Sequence, residues 1–586
     1  MKKYILALSV LAVGLVACSD EWDNHYEVKK QSNGTLWENI AAQTDLTQFS
    51  RLLDATGFRT SLNGSQVFTV FAPTDDVFSA TECDSLIQLY NEQLADGLKN
   101  EYNAVLKEFV MNHVALYNYS VSPYTNDSIV MMNGKYKVLS DTSLSDAKIL
   151  SGNQLCSNGV LFKLGHRSTY APSIYEYIKR DPDLDSLAAF YRHYEHYEFD
   201  PEQSVPGGIK EGKTVYLDSV RVLSNSLLSL ASLISREDSS FVAIYPTNSL
   251  WKELLEKYER CFVYDKKVEI RDSLSYILPR LQILESTVFS RSFNSEDKLD
   301  QEMRSLNSIM LFLARHHTYY FTYYTRALYI WKSAVSALFP GEIKETEDKG
   351  NYVTWSCKKP SVRDFLLGGA VKEECSNGVV YKHTDRWPFD SLFFENTKIT
   401  MQAESSLAKD SVYSKFTKPL SYIYVADNNP LKSEVSGDGY VEVSPRASQM
   451  PKALFNVYNV LSNVNYDVYV VTAPPIAGDT LAQPLNNNFR VVLMWNDMEG
   501  KQQQQKLPTK STAYYESDGS SVTRHYLGNF SFPTSSFGLD KPQVKIQIEG
   551  YTNPSLVKKG THTTTTGIDC FEFIPTGFTE PEAGGN

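Results

Sequence analysis

Three short stretches of the hydrophobic and polar pattern occur twice, in the same order, along the chain. Each copy begins with Ser or Thr, Glu three residues later and helically spaced apolar residues, which predicts a helix that starts with a capping box. Next comes a five-residue apolar run that ends at a proline, which predicts a strand because proline cannot donate to a central ladder. The last stretch, Cys-Ser-Asn-Gly followed by apolar residues, predicts a turn and a returning strand. The paired segments are 35–40 and 173–178, 68–78 and 241–251, and 156–163 and 375–382.

Two details of these repeats predict local structure. The residues after the proline, 74–75 and 247–248, are Thr-Asp and Thr-Asn. Both pairs are frequent helix caps, so they are predicted to cap the first turn of the helix that follows the strand. The Asn-Gly dipeptide of the third stretch favours a tight hairpin turn because both residues tolerate a positive φ.

The second copy is longer than the first. Cys156 lies 88 positions after Phe68 in the first copy, and Cys375 lies 134 positions after Phe241 in the second. The 46 additional residues are predicted to form a helical insertion at about 265–345, ending near Pro340. Apolar and aromatic residues recur there at helical spacing: Leu306, Met310, Leu313, His317, Phe321 and Leu328.

The pattern changes again at about residue 398. From there to 586 the chain is rich in Thr, Ser, Val and Tyr, and short alternating or apolar runs are separated by turn signals. Such runs, at 466–471, 489–495 and 544–548, predict an antiparallel β-sandwich. The polar tract Gln502–Gln505 is predicted to be a loop.

The repeated segments resemble the fasciclin-like domain, whose hallmarks include a "TVFAPT" strand-to-helix segment and an "NG-V" strand near the end. Residues 67–75 fit it closely, and the second copy is more diverged, with Tyr245 where the first has Ala72. The resemblance implies a compact α+β fold and covers residues 33–170 and 171–395. It also implies a structural and adhesive role for His113, with no catalytic function.

The third region resembles galactose-binding-like β-sandwiches in its first and last strands, Ile399–Glu404 and Gly567–Phe573. The predicted fold class is therefore multidomain α+β. Two fasciclin-like α+β domains are followed by an all-β antiparallel sandwich over residues 398–586.

The N-terminus indicates export. Lys2 and Lys3 precede an apolar stretch from Tyr4 to Val16, which is too short to span a bilayer comfortably and predicts a signal peptide over 1–17. Leu-Val-Ala-Cys18 resembles the bacterial lipoprotein box, which implies cleavage before Cys18 and acylation of its thiol. The alternative is an ordinary secretory peptide with a chance cysteine.

Residues 18–32 are then a lipidated linker, and the acidic residues at 19–23 are similar to the surface-export signal of Bacteroidota lipoproteins. No later run reaches 18 apolar residues, so the mature chain is predicted to be anchored at the outer-membrane surface without spanning it.

Composition narrows the classes of function. The 586 residues include 57 Lys and Arg against 69 Asp and Glu, a net charge of −12 that disfavours nucleic-acid binding. Besides Cys18, six scattered cysteines form no C-x-x-C pair, so they indicate neither a zinc ribbon nor a dense disulfide scaffold and are predicted to be mostly buried thiols.

Candidate chemistry is sparse. His193 and His196 would share one face of a helix and could together hold a metal, but no further ligands are visible and a packed tyrosine stripe is the favoured interpretation. Hydrolase, zincin, Walker and dinucleotide motifs are absent from the sequence. No catalytic residue, metal ligand or cofactor is therefore predicted.

The sequence as a whole predicts a non-catalytic surface lipoprotein that captures a ligand or docks a partner. This pattern resembles accessory lipoproteins of SusC/SusD-like nutrient-uptake systems, which implies a transporter partner and a glycan or peptide ligand. Candidate sugar-stacking residues on the sandwich are Trp495, Tyr440 and Tyr551. The alternatives are adhesion through the fasciclin-like domains and a divergent glycan hydrolase, since paired carboxylates can lie far apart in sequence.

Overall fold

The computed structural model describes separate ranges of the chain. They are residues 34–98, 102–199, 205–210, 213–218, 221–225, 227–228, 234–284, 287–291, 302–306, 343–347, 352–357, 366–388, 398–404, 417–446, 450–539 and 541–577. The chain divides into two compact units, residues 1–172 and 173–586. None of the helices in the described ranges combines the length and the apolar character that a membrane crossing needs.

The first unit is an α+β domain built on one seven-stranded sheet of order β2-β1-β7-β6-β5-β4-β3. Its helices are α1 (Leu36–Ala41), α2 (Thr47–Ala55), α3 (Arg59–Leu62) and α4 (Ala80–Ala95), with a π-helical turn at Val105–Val110 and a 3-10 turn at Met111–His113. Its strands are β1 (Phe68–Pro73), β2 (Val114–Ala115), β3 (Asn126–Val130), β4 (Tyr136–Ser140), β5 (Ser143–Leu144), β6 (Ala147–Cys156) and β7 (Gly159–Leu164).

The second unit begins with a domain of the same design. Its helices are α5 (Ile174–Arg180), α6 (Asp185–Arg192), α7 (Asn248–Glu259) and α8 (Arg271–Leu284). Its main sheet has the order β15-β16-β14-β13-β12-β18-β17, and two further two-stranded sheets pair β9 with β10 and β8 with β11. The strands are β8 (Glu195–Phe199), β9 (Val205–Lys210), β10 (Lys213–Asp218), β11 (Arg221–Asn225), β12 (Phe241–Pro246), β13 (Val288–Arg291), β14 (Glu302–Leu306), β15 (Ile343–Glu347), β16 (Tyr352–Cys357), β17 (Val371–Cys375) and β18 (Gly378–His383).

The repeat predicted from the sequence is present as one structural device used twice. In each domain the "apolar-Pro" strand pairs in parallel with the "Asn-Gly" strand, with Phe68 opposite Gly159 and Phe241 opposite Gly378. Both predicted capping boxes form, at Thr35 and at Ser173.

The Asn-Gly dipeptides do turn the chain, but their two residues serve different purposes. Of the two residues, only the glycine has a positive φ. The position also requires glycine because an added Cβ would lie 1.9 Å from the carbonyl oxygen of the parallel strand. Asn158 instead uses its buried side chain, which accepts from Leu36 N at 2.7 Å and donates to the carbonyls of Leu62 and Gly64.

Asn377 makes the equivalent bonds in the second domain. It accepts from Ile174 N at 2.8 Å and donates to the carbonyls of Ile234 and Arg236. The same asparagine therefore holds the first helix against the returning strand in both copies.

The residues after the proline cap a different helix from the one predicted. Asp75 accepts from Thr47 N and Gln48 N, the first amides of α2, and Asn248 accepts from Ser186 N at the start of α6. Helices α2 and α6 follow leucines, which have no capping side chain, so the missing acceptor comes from a distant strand end.

The predicted helical insertion at 265–345 is only partly helical. Helix α8 lies within it, but β13 then adds antiparallel to the free edge of β12, and β14 pairs with β13. Leu306 consequently ends a strand, because the open edge of β12 offers backbone hydrogen bonds that an added strand satisfies. The rest of the predicted long helix, from Met310 to Leu328, and Pro340 lie outside the described residues.

The third region is an antiparallel β-sandwich, as predicted. Its first sheet has the order β20-β21-β30-β23-β27, with β19 also on β30, and its second has the order β22-β28-β24-β25, with β26 and β29 on β24. The strands are β19 (Ile399–Gln402), β20 (Ser421–Tyr424), β21 (Gly439–Val443), β22 (Lys452–Val457), β23 (Asn465–Thr472), β24 (Asn486–Asn496), β25 (Gln502–Leu507), β26 (Tyr515–Ser517), β27 (Thr523–Ser531), β28 (Val544–Gly550), β29 (His562–Thr563) and β30 (Thr566–Pro575). Two short helices, α9 (Pro475–Gly478) and α10 (Pro554–Lys558), connect strands.

Alternating Val, Ile and Phe side chains from both sheets fill the space between them. The Gln502–Gln505 tract is not a loop but the start of edge strand β25, which pairs with β24. An edge strand tolerates glutamines because its outward side chains face water.

The second fasciclin-like domain and the sandwich share a hydrophobic core. Phe262 and Tyr264 of the former pack in one buried cluster with Leu461, Phe537 and Leu539 of the latter. The Phe262 and Phe537 rings meet edge to face at 5.5 Å, and the Tyr264 hydroxyl donates to the Phe537 carbonyl at 2.8 Å.

A buried carboxylate accepts hydrogen bonds across this junction. Asp265, which is almost fully buried, accepts from Asn496 Nδ2 at 3.0 Å and from Gln543 Nε2 at 2.5 Å. Backbone bonds, such as Ser535 N to the Val263 carbonyl at 2.7 Å, add to the contact. The two domains, which the sequence predicts as separate modules, therefore form one compact unit.

Candidate functional site

A row of side chains crosses the outer face of the first sandwich sheet. The register places Thr400 of β19, Glu572 of β30, Tyr469 of β23 and Tyr526 of β27 side by side. Inward neighbours on the same strands, such as Val468 and Phe573, fill the core, so alternation places this row on the outer side of the sheet, where the neighbouring side chains leave Glu572 only 7% exposed. Four strands at about 4.8 Å spacing make the row about 14 Å long.

Two tyrosines and an arginine form the centre of this face. The guanidinium carbon of Arg524 lies 3.5 Å from the Tyr469 ring centroid, and the Tyr469 and Tyr526 rings are 5.1 Å apart. Tyr526 is half-exposed. We call Asp467, Tyr469, Arg524, Tyr526 and Glu572 the tyrosine face.

Ion pairs hold the arginine in place. One carboxylate oxygen of Glu572 pairs with Lys398 Nζ at 2.6 Å, and the other pairs with Arg524 Nε at 2.5 Å. Burial by itself would raise the pKa of Glu572, but the two cations outweigh it and hold that pKa below its usual value. Glu572 is thus ionised at neutral pH and fixes the guanidinium over the Tyr469 ring.

The second tyrosine is also fixed. The Tyr526 hydroxyl donates to Asp467 Oδ1 at 3.0 Å, and Asn529 Nδ2 donates to the same oxygen at 3.0 Å. The result is a pre-organised surface with aromatic area at its centre and oriented donors and acceptors around it. Such a surface suits a flat ligand with an apolar face and a polar rim, as a pyranose ring has.

Sequence reasoning missed the tyrosine face. The alternation of Asp467 and Tyr469 along β23 was a usable signal for the outward side of that strand. Nothing in the sequence pairs that strand with β27, which supplies Arg524 and Tyr526.

The structure separates the three candidate stacking residues. Tyr440 is 1% exposed, because Val425, Val435, Ala473 and Ala477 cover its ring, so it cannot stack on a sugar. Trp495 points into the sandwich and packs edge to face on Phe532 at 6.2 Å. Burial of a large aromatic side chain is favourable because it removes apolar surface from water.

Tyr551 alone among the three is exposed, at 38%. It lies just after β28 on the second sheet, under the guanidinium of Arg490 at 3.7 Å. It therefore belongs to a different surface from the tyrosine face.

The histidine pair does not share a helix. Helix α6 ends at Arg192, His193 is its C-cap, and His196 lies in strand β8, where it pairs with Glu198 at 2.7 Å. Antiparallel pairing with β11 takes this segment out of the helix. In the part of the chain that the structure describes, no group of three or more His, Cys, Asp or Glu residues could hold a metal ion.

One pair of buried acids lies near the end of the sandwich. Burial raises the pKa of Asp569 to about 7, against the pull of the Ser436 amide, which donates to both of its oxygens. Burial also raises the pKa of Glu404. With two carboxyl groups and no third ionisable ligand among the described residues, this pair gives no metal centre by itself.

His113 is a fully buried structural group of the first domain. Its Nδ1 lies 2.7 Å from the Phe109 carbonyl, and its Nε2 accepts from Ser168 N at 3.1 Å. The imidazole therefore ties the Met111–His113 turn to the chain that leaves the domain.

The cysteines form no disulfide within the described residues. Cys83, Cys261 and Cys570 are buried, Cys156 and Cys375 are half-buried, and none of these five is part of a disulfide. Cys18 and the side chain of Cys357 lie outside the described part of the chain.

Comparison with known proteins finds a family match for the first domain. Residues 44–165 match the sequence profile of the fasciclin domain. No curated protein matches the chain.

Solved structures are similar to separate parts of the chain. A FAS1 domain pair from the insect cell adhesion molecule Fasciclin I is 11% identical and covers 57% of this chain and 93% of its own, with a TM-score of 0.17. A family 22 carbohydrate-binding module of Clostridium thermocellum is 10% identical and covers 30% and 94%, with a TM-score of 0.20. A GH26-CBM35 mannanase of Podospora anserina is 16% identical, with a TM-score of 0.18; the match covers 32% of this chain but only 29% of the enzyme.

Proposed function

We propose that the protein is a non-catalytic carbohydrate binder that is held at the bacterial outer-membrane surface by lipid on Cys18. The fasciclin domain and the β-sandwich support a binding or adhesion role. The observation that carries the proposal is the tyrosine face, where Arg524 and Glu572 fix the Tyr469 ring and Asp467 fixes the Tyr526 ring. A rigid aromatic surface binds sugar rings at low entropic cost.

The mechanism is tethering. An anchored binder raises the local concentration of a glycan beside a transporter without any chemistry of its own. This role fits an accessory lipoprotein of a SusC/SusD-like uptake system, with the transporter as partner. The basic and apolar N-terminal segment that ends at Cys18 supports the anchored location.

Substitution of Tyr526 by alanine is expected to weaken glycan binding about tenfold, because it removes one aromatic platform worth about 1.4 kcal/mol. A panel of neutral polysaccharides and oligosaccharides, including xylohexaose and mannohexaose, would first identify a ligand by affinity electrophoresis and calorimetry. Tyr469→Ala is expected to cost at least as much, because Arg524 also loses its support.

The matched control is Tyr124→Ala, which removes a tyrosine that is 96% exposed in the first domain. It should bind like the unaltered protein. Equal binding by Tyr526→Ala would show that the tyrosine face is not the site, and turnover of any bound glycan would refute the non-catalytic part of the proposal.

The anchor has its own test. In the native host the intact protein should fractionate with outer membranes, and mass spectrometry should find Cys18 as an acylated N-terminus. Cys18→Ser should release the protein from the membrane fraction. An unmodified Cys18 in membrane-derived material would contradict the proposed anchor.

Adhesion through the fasciclin domain is the second candidate. It is favoured by large apolar side chains exposed on the first unit, which are frequent at protein–protein contacts. They include Tyr117, Tyr124, Tyr136, Val138, Leu150 and Leu155. Cell aggregation that requires residues 34–170 but tolerates Tyr526→Ala would support this role over glycan capture.

A further inference from the structure

The second sandwich sheet has an outer face of its own, on the opposite side of the sandwich from the tyrosine face. Along β22, β28 and β24, alternate residues such as Ala453, Ile546 and Val491 fill the core, so the residues between them face outward. The outward residues include four cations, one on each of the four main strands: Lys452, Lys545, Arg490 and Lys506. We call these four residues, together with Tyr514 and Tyr551, the basic face.

This concentration of positive charge stands out in a protein whose net charge is −12. Glu549 lies opposite Arg490 in the register and binds Lys452 Nζ at 2.7 Å, and Glu516 faces outward at one end of the sheet. Lys506 and Lys545 form no ion pair with any residue that the structure describes. The face therefore keeps a surplus of two positive charges, from four cations against two carboxylates.

The two lysines without ion pairs flank the central strand. Lys506 is opposite Val492 from one side of β24, and Lys545 is opposite Met494 from the other. Strands two places apart in a sheet are separated by about 10 Å, so the two ammonium groups can engage separate charges along one extended chain. A polymer with regularly spaced anions fits this arrangement better than a single small anion does.

Aromatic rings lie at one end of the same face. The Arg490 guanidinium carbon is 3.7 Å from the Tyr551 ring centroid, and the Tyr514 and Tyr551 rings are 5.8 Å apart. Arg490 Nε donates to the Ala513 carbonyl at 2.9 Å, and the guanidinium also binds the Ser511 carbonyl. These bonds fix the loop that carries Tyr514 beside Tyr551, and both rings stay partly exposed, at 43% and 38%.

We infer that the basic face is a second binding site, separate from the tyrosine face, for an acidic polysaccharide that carries carboxylates along its chain. The lysines pair with the carboxylates, and the Tyr514 and Tyr551 rings stack on a sugar. The aromatic rings would suit any glycan, but the lysines gain charge pairs only from a glycan that carries carboxylates, so they favour an acidic polysaccharide over an uncharged one. The inference does not require that the tyrosine face bind sugar.

The test compares polygalacturonate with its methyl ester, which has the same backbone without the charges. In affinity electrophoresis at low salt, the full chain should be retarded by polygalacturonate and at least tenfold less by the ester. Retardation should fall as salt rises, because exposed charges are screened. The double variant Lys506→Gln/Lys545→Gln and the single variant Tyr551→Ala should each weaken binding at least tenfold, with unchanged thermal unfolding.

Lys252→Gln is the matched control, since it removes an exposed lysine from α7 of the second fasciclin-like domain and should leave binding unchanged. The inference would be overturned if polygalacturonate did not retard the protein, or if the ester or single-stranded DNA retarded it equally. Full binding by the lysine double variant would overturn it as well. Tyr526→Ala separates the two sites. If Tyr526→Ala is the only variant that loses polygalacturonate binding, the ligand binds at the tyrosine face and the inference about the basic face is wrong. If Tyr526→Ala keeps both polygalacturonate binding and neutral-glycan binding, the proposed function is wrong but the inference about the basic face is not contradicted.

Discussion

Phe537→Ala is expected to destabilise the whole second unit by about 3–5 kcal/mol, the usual cost of truncating a buried phenylalanine. Phe537 belongs to the sandwich, but its ring packs edge to face on Phe262 of the second fasciclin-like domain in one shared core. The substitution leaves a cavity between two domains that the sequence alone predicts as separate. Its effect should therefore appear on both sides of the junction.

Native-state hydrogen exchange of the full chain would measure this effect. Peptides from β12 of the fasciclin-like domain and from β24 of the sandwich should lose protection together. Phe530→Ala is the control, because Phe530 is a half-buried sandwich residue outside the shared core, and it should cost much less. A loss of protection confined to sandwich peptides would show that the two domains unfold independently.

Mild acid is expected to weaken the first unit through His113. Burial lowers the pKa of His113 to about 4, despite the opposing effect of the Phe109 carbonyl. In the unfolded chain the pKa returns to about 6.5, so below that pH the unfolded state binds a proton that the folded state does not. The free energy of unfolding should thus fall by about 3 kcal/mol as the pH drops from 6.5 to 4, and level off below that.

Urea unfolding at several pH values, with each unit followed by pulsed hydrogen exchange, would test this dependence. In His113→Gln the first unit should be less stable at neutral pH and should lose most of its slope between pH 6.5 and 4. The sandwich gives an internal control, because its own pH dependence, to which His525 and Asp569 contribute with opposite signs, should be the same in His113→Gln and in the unaltered protein. An unchanged slope in the first unit would contradict the assignment to His113.

Much of the fold was predictable because many of its elements depend on local sequence patterns. Both capping boxes, the "apolar-Pro" strands and the sandwich formed where the sequence predicted them, since caps and strand alternation depend on residues close together in the chain. Predictions that required a distant partner were less accurate. Asp75 has the right residue type for a cap, but the helix it caps begins 28 residues earlier.

The candidate sugar-binding residues show the same difference between features that depend on local sequence and features that depend on distant residues. Tyr440, Trp495 and Tyr551 are equally plausible sugar-binding residues in the sequence, because burial of an aromatic residue depends on which segments fold over it. Ala473 and Ala477 bury Tyr440, and Phe532 takes Trp495 into the sandwich, whereas Arg490 covers one face of Tyr551 and leaves the ring partly exposed.

The sequence by itself determined that this chain has two related α+β domains and a β-sandwich, and which side of most sandwich strands is apolar. Only the tertiary structure decided that Tyr469 and Tyr526, more than 50 residues apart in sequence, meet on one face. It also decided that the sandwich shares a core with the domain before it. The physical reason is that alternation depends on neighbouring residues, whereas strand order and register are set by long-range packing that no local pattern encodes.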